Sequence, residues 1–118
     1  MEATDGLLSM PREIQLAWCA GVLSSRGSFT VSRRTDRQTS VCLTFQMRGQ
    51  RDVLQQWKDC FYVTSKITVA SSGSPAVKAH RLIIHGENLY RIMRLLRPYL
   101  AASKWADYEY KLGQATNG

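Results

Sequence analysis

The sequence predicts an α+β domain with elements in the order α-β-β-α-β-β-α-α, built as a four-stranded antiparallel sheet with helices on one face. Three observations carry this. Apolar and polar residues alternate through 40–48, apolar residues recur at helical spacing in four other stretches, and turn residues divide the strands into two hairpins. A chain of 118 residues with 44% apolar content suits one domain around one core.

The first helix starts near Pro11, whose fixed φ suits a first turn, with Ser9 as a cap. Ile14, Ala17, Trp18, Gly21 and Val22 recur at helical spacing as far as Ser24 and Ser25, and Gly27 stops the helix. In the strand at 28–34, Phe29 and Val31 point inward while Ser28, Thr30, Ser32 and Arg34 point outward. In the strand at 40–48, Val41, Leu43, Phe45 and Met47 point inward, and Ser40, Cys42, Thr44, Gln46 and Arg48 outward. The polar stretch with Asp36, Arg37 and Gln38 turns one strand into the other.

Val53, Leu54, Trp57 and Phe61 mark a second helix. A second hairpin runs from 66–70 through a Ser- and Gly-rich loop to 77–85, and the period-two pattern breaks down across 81–85, leaving that register open. A third helix over 88–100 is buried through Leu89, Ile92, Met93 and Leu96, with Arg91, Arg94 and Arg97 as a solvated stripe. A last helix over 104–112 is anchored by Trp105 and Tyr108. Residues 1–8 read as a flexible arm, 9–112 as the domain and 113–118 as a loose tail.

Sixteen Lys and Arg against nine Asp and Glu give a net charge of +7, which favours a polyanionic partner. Cys19, Cys42 and Cys60 are widely spaced, and with His80 and His85 they complete no zinc pattern, so they read as reduced thiols. No apolar run is long enough to span a membrane, and the first nine residues lack the basic cluster of a targeting signal. The expected location is intracellular, cytoplasmic or nucleoid-associated. Neither a membrane nor a small-molecule ligand is expected as a partner.

The outward sheet face carries Ser28, Thr30, Ser32, Arg34, Ser40, Thr44, Gln46, Arg48, Lys66, Thr68, Lys78 and His80, with Arg33, Arg37 and Gln38 near the first turn. Solvated faces usually mix acids with bases, yet no acid lies between Glu13 and Asp36, nor between Asp36 and Asp52. Donors and acceptors on a two-stranded ribbon suit the major groove of duplex DNA, and the arginines suit its phosphates. Binding of a protein partner through the same face is the alternative.

The stretch from Trp18 to Phe29 resembles the signature segment of the LAGLIDADG homing endonucleases, in its Ala20-Gly21 and its Gly27-Ser28-Phe29. Leu43-Thr44-Phe45-Gln46 followed by Trp57 and Phe61 is similar to that family's second strand and helix. Arg97-Pro98-Tyr99-Leu100 followed by Lys104 is similar to its closing segment, so the likeness spans roughly 12–112. It implies a saddle-shaped sheet that straddles duplex DNA and two signature helices side by side. With one such helix per chain, it implies a homodimer on a pseudo-palindromic site. Ala17, Ala20, Gly21 and Ser24 line one helix stripe with small residues, as close helix contact requires.

The resemblance also places the family's metal-binding acid on Arg26, its upstream acid on Ser24, and two auxiliary polar positions on Gly49 and Ser103, with Lys104 next to the latter. Metal-assisted cleavage needs oxygen ligands, normally carboxylates. The chain is therefore expected not to be an enzyme and to use no cofactor. Its role would be that of a sequence-specific regulator or nucleoprotein-assembly factor, with Arg26 itself contacting DNA. Mg²⁺-dependent cleavage is the alternative.

Overall fold

A computed structural model of the chain describes residues 6–33, 39–70 and 79–117. The elements are α1 (Arg12–Arg26), β1 (Gly27–Arg33), β2 (Thr39–Arg48), α2 (Arg51–Phe61), β3 (Thr68–Ala70), β4 (Ala79–His85), α3 (Gly86–Leu96) and α4 (Ala102–Asn117). A short 3-10 turn at Arg97–Tyr99 separates the last two helices. The predicted order holds, and the strands form one antiparallel sheet in the order β1-β2-β4-β3.

The alternation read in the sequence becomes the core. Phe29, Val41, Leu43, Phe45, Met47, Leu82 and Ile84 are buried in one cluster with Leu54, Trp57 and Phe61 of α2, Leu89, Ile92 and Met93 of α3, and Tyr108 of α4. Trp57 is completely buried, stacks edge-on to Phe45 with ring centroids 4.8 Å apart, and donates its indole N–H to the Cys19 carbonyl at 3.0 Å. A buried indole needs such an acceptor, and this one ties α2 to α1. Where the two helices meet, the hydrogen bond with Cys60 and burial both push the Cys19 thiol pKa up.

Four local expectations change. Ser9 does not cap α1; Pro11 is the N-cap residue, and the Ser9 hydroxyl donates to the Gly6 carbonyl at 2.9 Å. The turn before the helix is held instead by buried Gln15, whose amide donates to the Leu8 and Met10 carbonyls. The predicted flexible arm accordingly covers Leu7, which packs against the core. Residues 113–117, predicted as a loose tail, continue α4, with Ala115 buried and its carbonyl accepting the Thr39 hydroxyl. Finally, Ala20, expected on one stripe with Ala17 and Gly21, is buried with Leu16, Cys19 and Leu23, while Ala17 and Gly21 are exposed.

No loop separates α1 from β1. Gly27 is at once the residue that ends the helix and the first residue of the strand. Its φ of −87° is ordinary extended backbone, so conformational freedom is not why glycine stands here. Space is the reason. A Cβ at Gly27 would lie 2.8 Å from Leu43 Cδ1 and 2.9 Å from the Leu23 carbonyl oxygen. Gly27→Ala is therefore expected to destabilise the fold by about 1–3 kcal/mol, the usual cost of overpacking, as read from urea denaturation. An unchanged midpoint would show that the junction has slack.

Candidate nucleic-acid interface

The helices cover one sheet face and leave the other open. Pairing defines its rows: Ser28–Thr44–Ile83, Thr30–Cys42–His85, Ser32–Ser40, and Gln46–Arg81–Thr68, with Arg48 beside Ala79 at one end. Ser28, Thr30, Gln46, Arg48, Thr68 and His85 are exposed, while Ser32, Ser40, Thr44, Arg81 and Ile83 are half-buried. Lys66 precedes β3 as exposed coil and lines a shallow depression with Thr68, Ile83 and His85. None of the described strands contains an acidic residue.

His80 is corrected. It pairs with Met47 and Val69 and so lies on the helix-covered face, where its Nδ1 is buried without a hydrogen-bond partner among the described residues. The open face of β4 belongs instead to Arg81, Ile83 and His85, in the segment whose register the sequence left open. Leu82, Ile83 and Ile84 are all apolar, so parity is undefined along the strand alone. Cross-strand pairing to β2 decides it. Arg34, Arg37, Gln38 and Lys78 lie outside the described residues, as does the Arg33 side chain; the Arg33 backbone pairs with Thr39.

Arg81 and Gln46 act together. The Arg81 guanidinium donates to Gln46 Oε1 through Nε at 3.3 Å and Nη2 at 3.0 Å. That occupies the amide oxygen, so the pair presents mainly N–H donors outward, a set matched to the O6 and N7 acceptors of guanine. In the next row, Cys42 Sγ lies 3.1 Å from His85 Nδ1, which leaves Nε2 of that exposed ring as its free nitrogen.

The four residues assigned to the helix stripe divide. Ala20 is fully buried in its own core and has no surface to offer a second helix. Ala17 and Gly21 are exposed and Ser24 is half-buried; a Cβ at Gly21 would meet nothing within 4 Å. Half-exposed Ile14 and the partly buried Trp18 and Val22 flank them, which makes an apolar strip along α1.

At the helix end, Ser24, Ser25 and Arg26 supply no carboxylate, and the Ser25 hydroxyl is turned back to the Gly21 and Val22 carbonyls. Gly49 follows β2 with φ of 66°, a left-handed conformation that favours glycine. Ser103 is exposed, but Lys104 reaches the junction and donates to the Gly27 carbonyl at 2.8 Å. Lys104, one position beyond the residue that the family pattern marks, is therefore the lysine at this end of α1.

No protein-family profile matches the sequence, and no curated protein matches it. Solved structures do. LAGLIDADG meganuclease I-AabMI bound to uncleaved DNA superposes with a TM-score of 0.65 and 22% identity over 80% of this chain and 33% of its own. Homing endonuclease I-CvuI, in complex with the I-CreI target in the presence of Mg, gives 0.66 and 20% over 89% of this chain and 68% of its own. I-SmaMI bound to cleaved DNA gives 0.62 and 21% over 80% and 34%. The chain thus has the LAGLIDADG homing endonuclease fold and spans about one third of the length of two of these neighbours.

These neighbours overturn the expectation that the chain is not an enzyme. They are DNA endonucleases. I-CvuI was solved with Mg and with Ca, so a divalent ion is the cofactor this fold implies. The donor set at the end of α1 does not fit one. It holds hydroxyls and cations, and the described residues contain no cluster of three or more His, Cys, Asp or Glu.

Placing Arg81 on the open face and His80 behind it yields a paired expectation. Arg81→Ala should weaken DNA binding and relax base preference at one position of each half-site by about 1–3 kcal/mol, while His80→Ala leaves preference unchanged. Binding selections on the two variants read this directly. The reverse pattern would invert the β4 register.

Proposed function

We propose that this chain binds double-stranded DNA across its open sheet face as a homodimer on a pseudo-palindromic site. The observation that carries the reading is the face itself. Its strands hold no acid, and Arg48, Arg81, Lys66 and His85 stand among hydroxyls and the Gln46 amide. Such a surface meets phosphates with charge and base edges with directed donors. Its sheet has the fold of endonucleases solved on DNA.

Dimerisation follows from the α1 strip. Ala17 and Gly21 allow two helix backbones to approach closely, and a second copy would cover Ile14. A C2 pair then repeats the reading face, and half-sites lie on the order of one helical turn apart. Occupancy of such a site is sufficient for regulation or nucleoprotein assembly; cleavage at it is the activity to which the neighbours point. Either use places the protein with intracellular DNA. No helix among the described residues is long and apolar enough to cross a membrane.

Selection of bound duplexes from a random pool at about 150 mM salt, with and without Mg²⁺, tests the reading. An enriched, roughly palindromic motif about two turns long is the expected result, and cut ends in the Mg²⁺ arm would establish the nuclease. No enrichment would turn the sheet face into a protein-binding surface. Gly21→Arg should yield a folded protein that sediments as a monomer on DNA, because nothing in the protomer crowds that position. A dimeric variant would move the seam away from α1.

A further inference from the structure

The junction of α1 and β1 gathers positive charge that the described part of the protein does not compensate. Arg26 is exposed in the last turn of α1 and has no hydrogen-bond or ion-pair partner among the described residues. Across from it, α4 sends two lysines, seven residues apart, to the backbone of β1. Lys111 donates to the Phe29 carbonyl at 2.8 Å and is neutralised by Asp107 at 3.2 Å. Lys104 donates to the Gly27 carbonyl at 2.8 Å, lies 5.9 Å from the Phe29 ring centre, and has no acid beside it among the described residues. The same helix thus balances one lysine and leaves its equivalent unbalanced, next to Arg26.

The carbonyl end of α1 offsets part of that charge, since a cation near a helix C-terminus is stabilised by roughly 0.3–1 kcal/mol. Backbone dipoles do not neutralise two full charges. One N–H of the Lys104 ammonium is spent on Gly27, leaving two, and the Arg26 guanidinium keeps all five of its own. Borne on the residue before Gly27 and on the lysine bound to the Gly27 carbonyl, these seven charged N–H donors match an anion with several oxygens. Ser28, two residues beyond Arg26, is the first outward residue of that face.

We propose that Arg26 and Lys104 form a metal-independent seat for a DNA backbone phosphate at the α1–β1 junction. The proposal rests on the DNA-binding reading above and extends it. With no carboxylate at the end of α1 to hold a divalent ion, this chain meets the phosphate with side-chain cations directly. In a dimer joined along α1, two such seats lie near the two-fold axis, and DNA supplies the counter-charge that the free protein lacks.

The test is salt-dependent binding of the full chain to a fixed 30-base-pair duplex in EDTA. Removing one cation from a phosphate should flatten the plot of log K against log salt by about 0.9, so Arg26→Ala should flatten it by roughly 1.8 for a dimer. The loss should be equal on specific and unrelated duplexes, and Arg26→Lys should keep the wild-type slope. A wild-type slope in Arg26→Ala, with wild-type binding intact, would overturn the seat and leave the DNA-binding reading standing. Wild-type binding that appears only when Mg²⁺ is added would also overturn it. Absence of wild-type binding under every condition would remove both.

Discussion

The close approach at Gly27 is the constraint from which the rest of the site follows. The helix ends and the strand begins on one residue because nothing projects from its Cα toward Leu43 and the Leu23 carbonyl. That packing fixes the direction in which α1 leaves the sheet, and so fixes which of its stripes is buried. Leu16, Cys19, Ala20 and Leu23 go under; Ala17 and Gly21 stay out. It also puts the Gly27 carbonyl within reach of Lys104, so α4 is bound to the same point. A loop at this position would free all three relations at once.

The sheet then divides its labour by parity. Packing decides one face, where Trp57 and Phe45 meet and β1, β2 and β4 contribute to a single cluster. The other face is free of that demand and carries polar and basic residues, apart from Ala79, Ile83 and the buried Cys42 thiol. Because successive side chains alternate, a residue's role is set by which neighbour its backbone pairs with. Arg81 meets Gln46 and faces outward; His80, one residue earlier, meets Met47 and faces the core. The shift of a single position separates an outward guanidinium from an imidazole on the helix-covered face.

Fold and local chemistry pull in different directions at the end of α1. The architecture is that of endonucleases, including two whose structures hold uncleaved and cleaved DNA. The side chains placed at its centre are cations and hydroxyls, and Gly49 brings no side chain to it. Arg26 and Lys104 suit phosphate oxygens and repel a divalent ion. In the proposed complex the open sheet face meets DNA, and local charge decides how the backbone at its centre is held.

Much of this was legible in the sequence. Strict alternation in β2 defined both sheet faces, since period two has one physical cause; the helical spacing in α2 and α3 picked out Leu54, Trp57, Leu89 and Ile92 as core. The absence of acids marked the open face. Three things required the tertiary structure. The parity of β4 is set by pairing to β2, because apolar residues fill both parities at 82–84. Ala20 and Ala17 are alike in sequence but are separated by the direction of α1 at Gly27, which buries one and exposes the other. The place of Lys104 depends on α4, 77 residues from the carbonyl it binds. Sequence patterns encode what each element must hide; only the packed chain decides which distant groups then stand side by side.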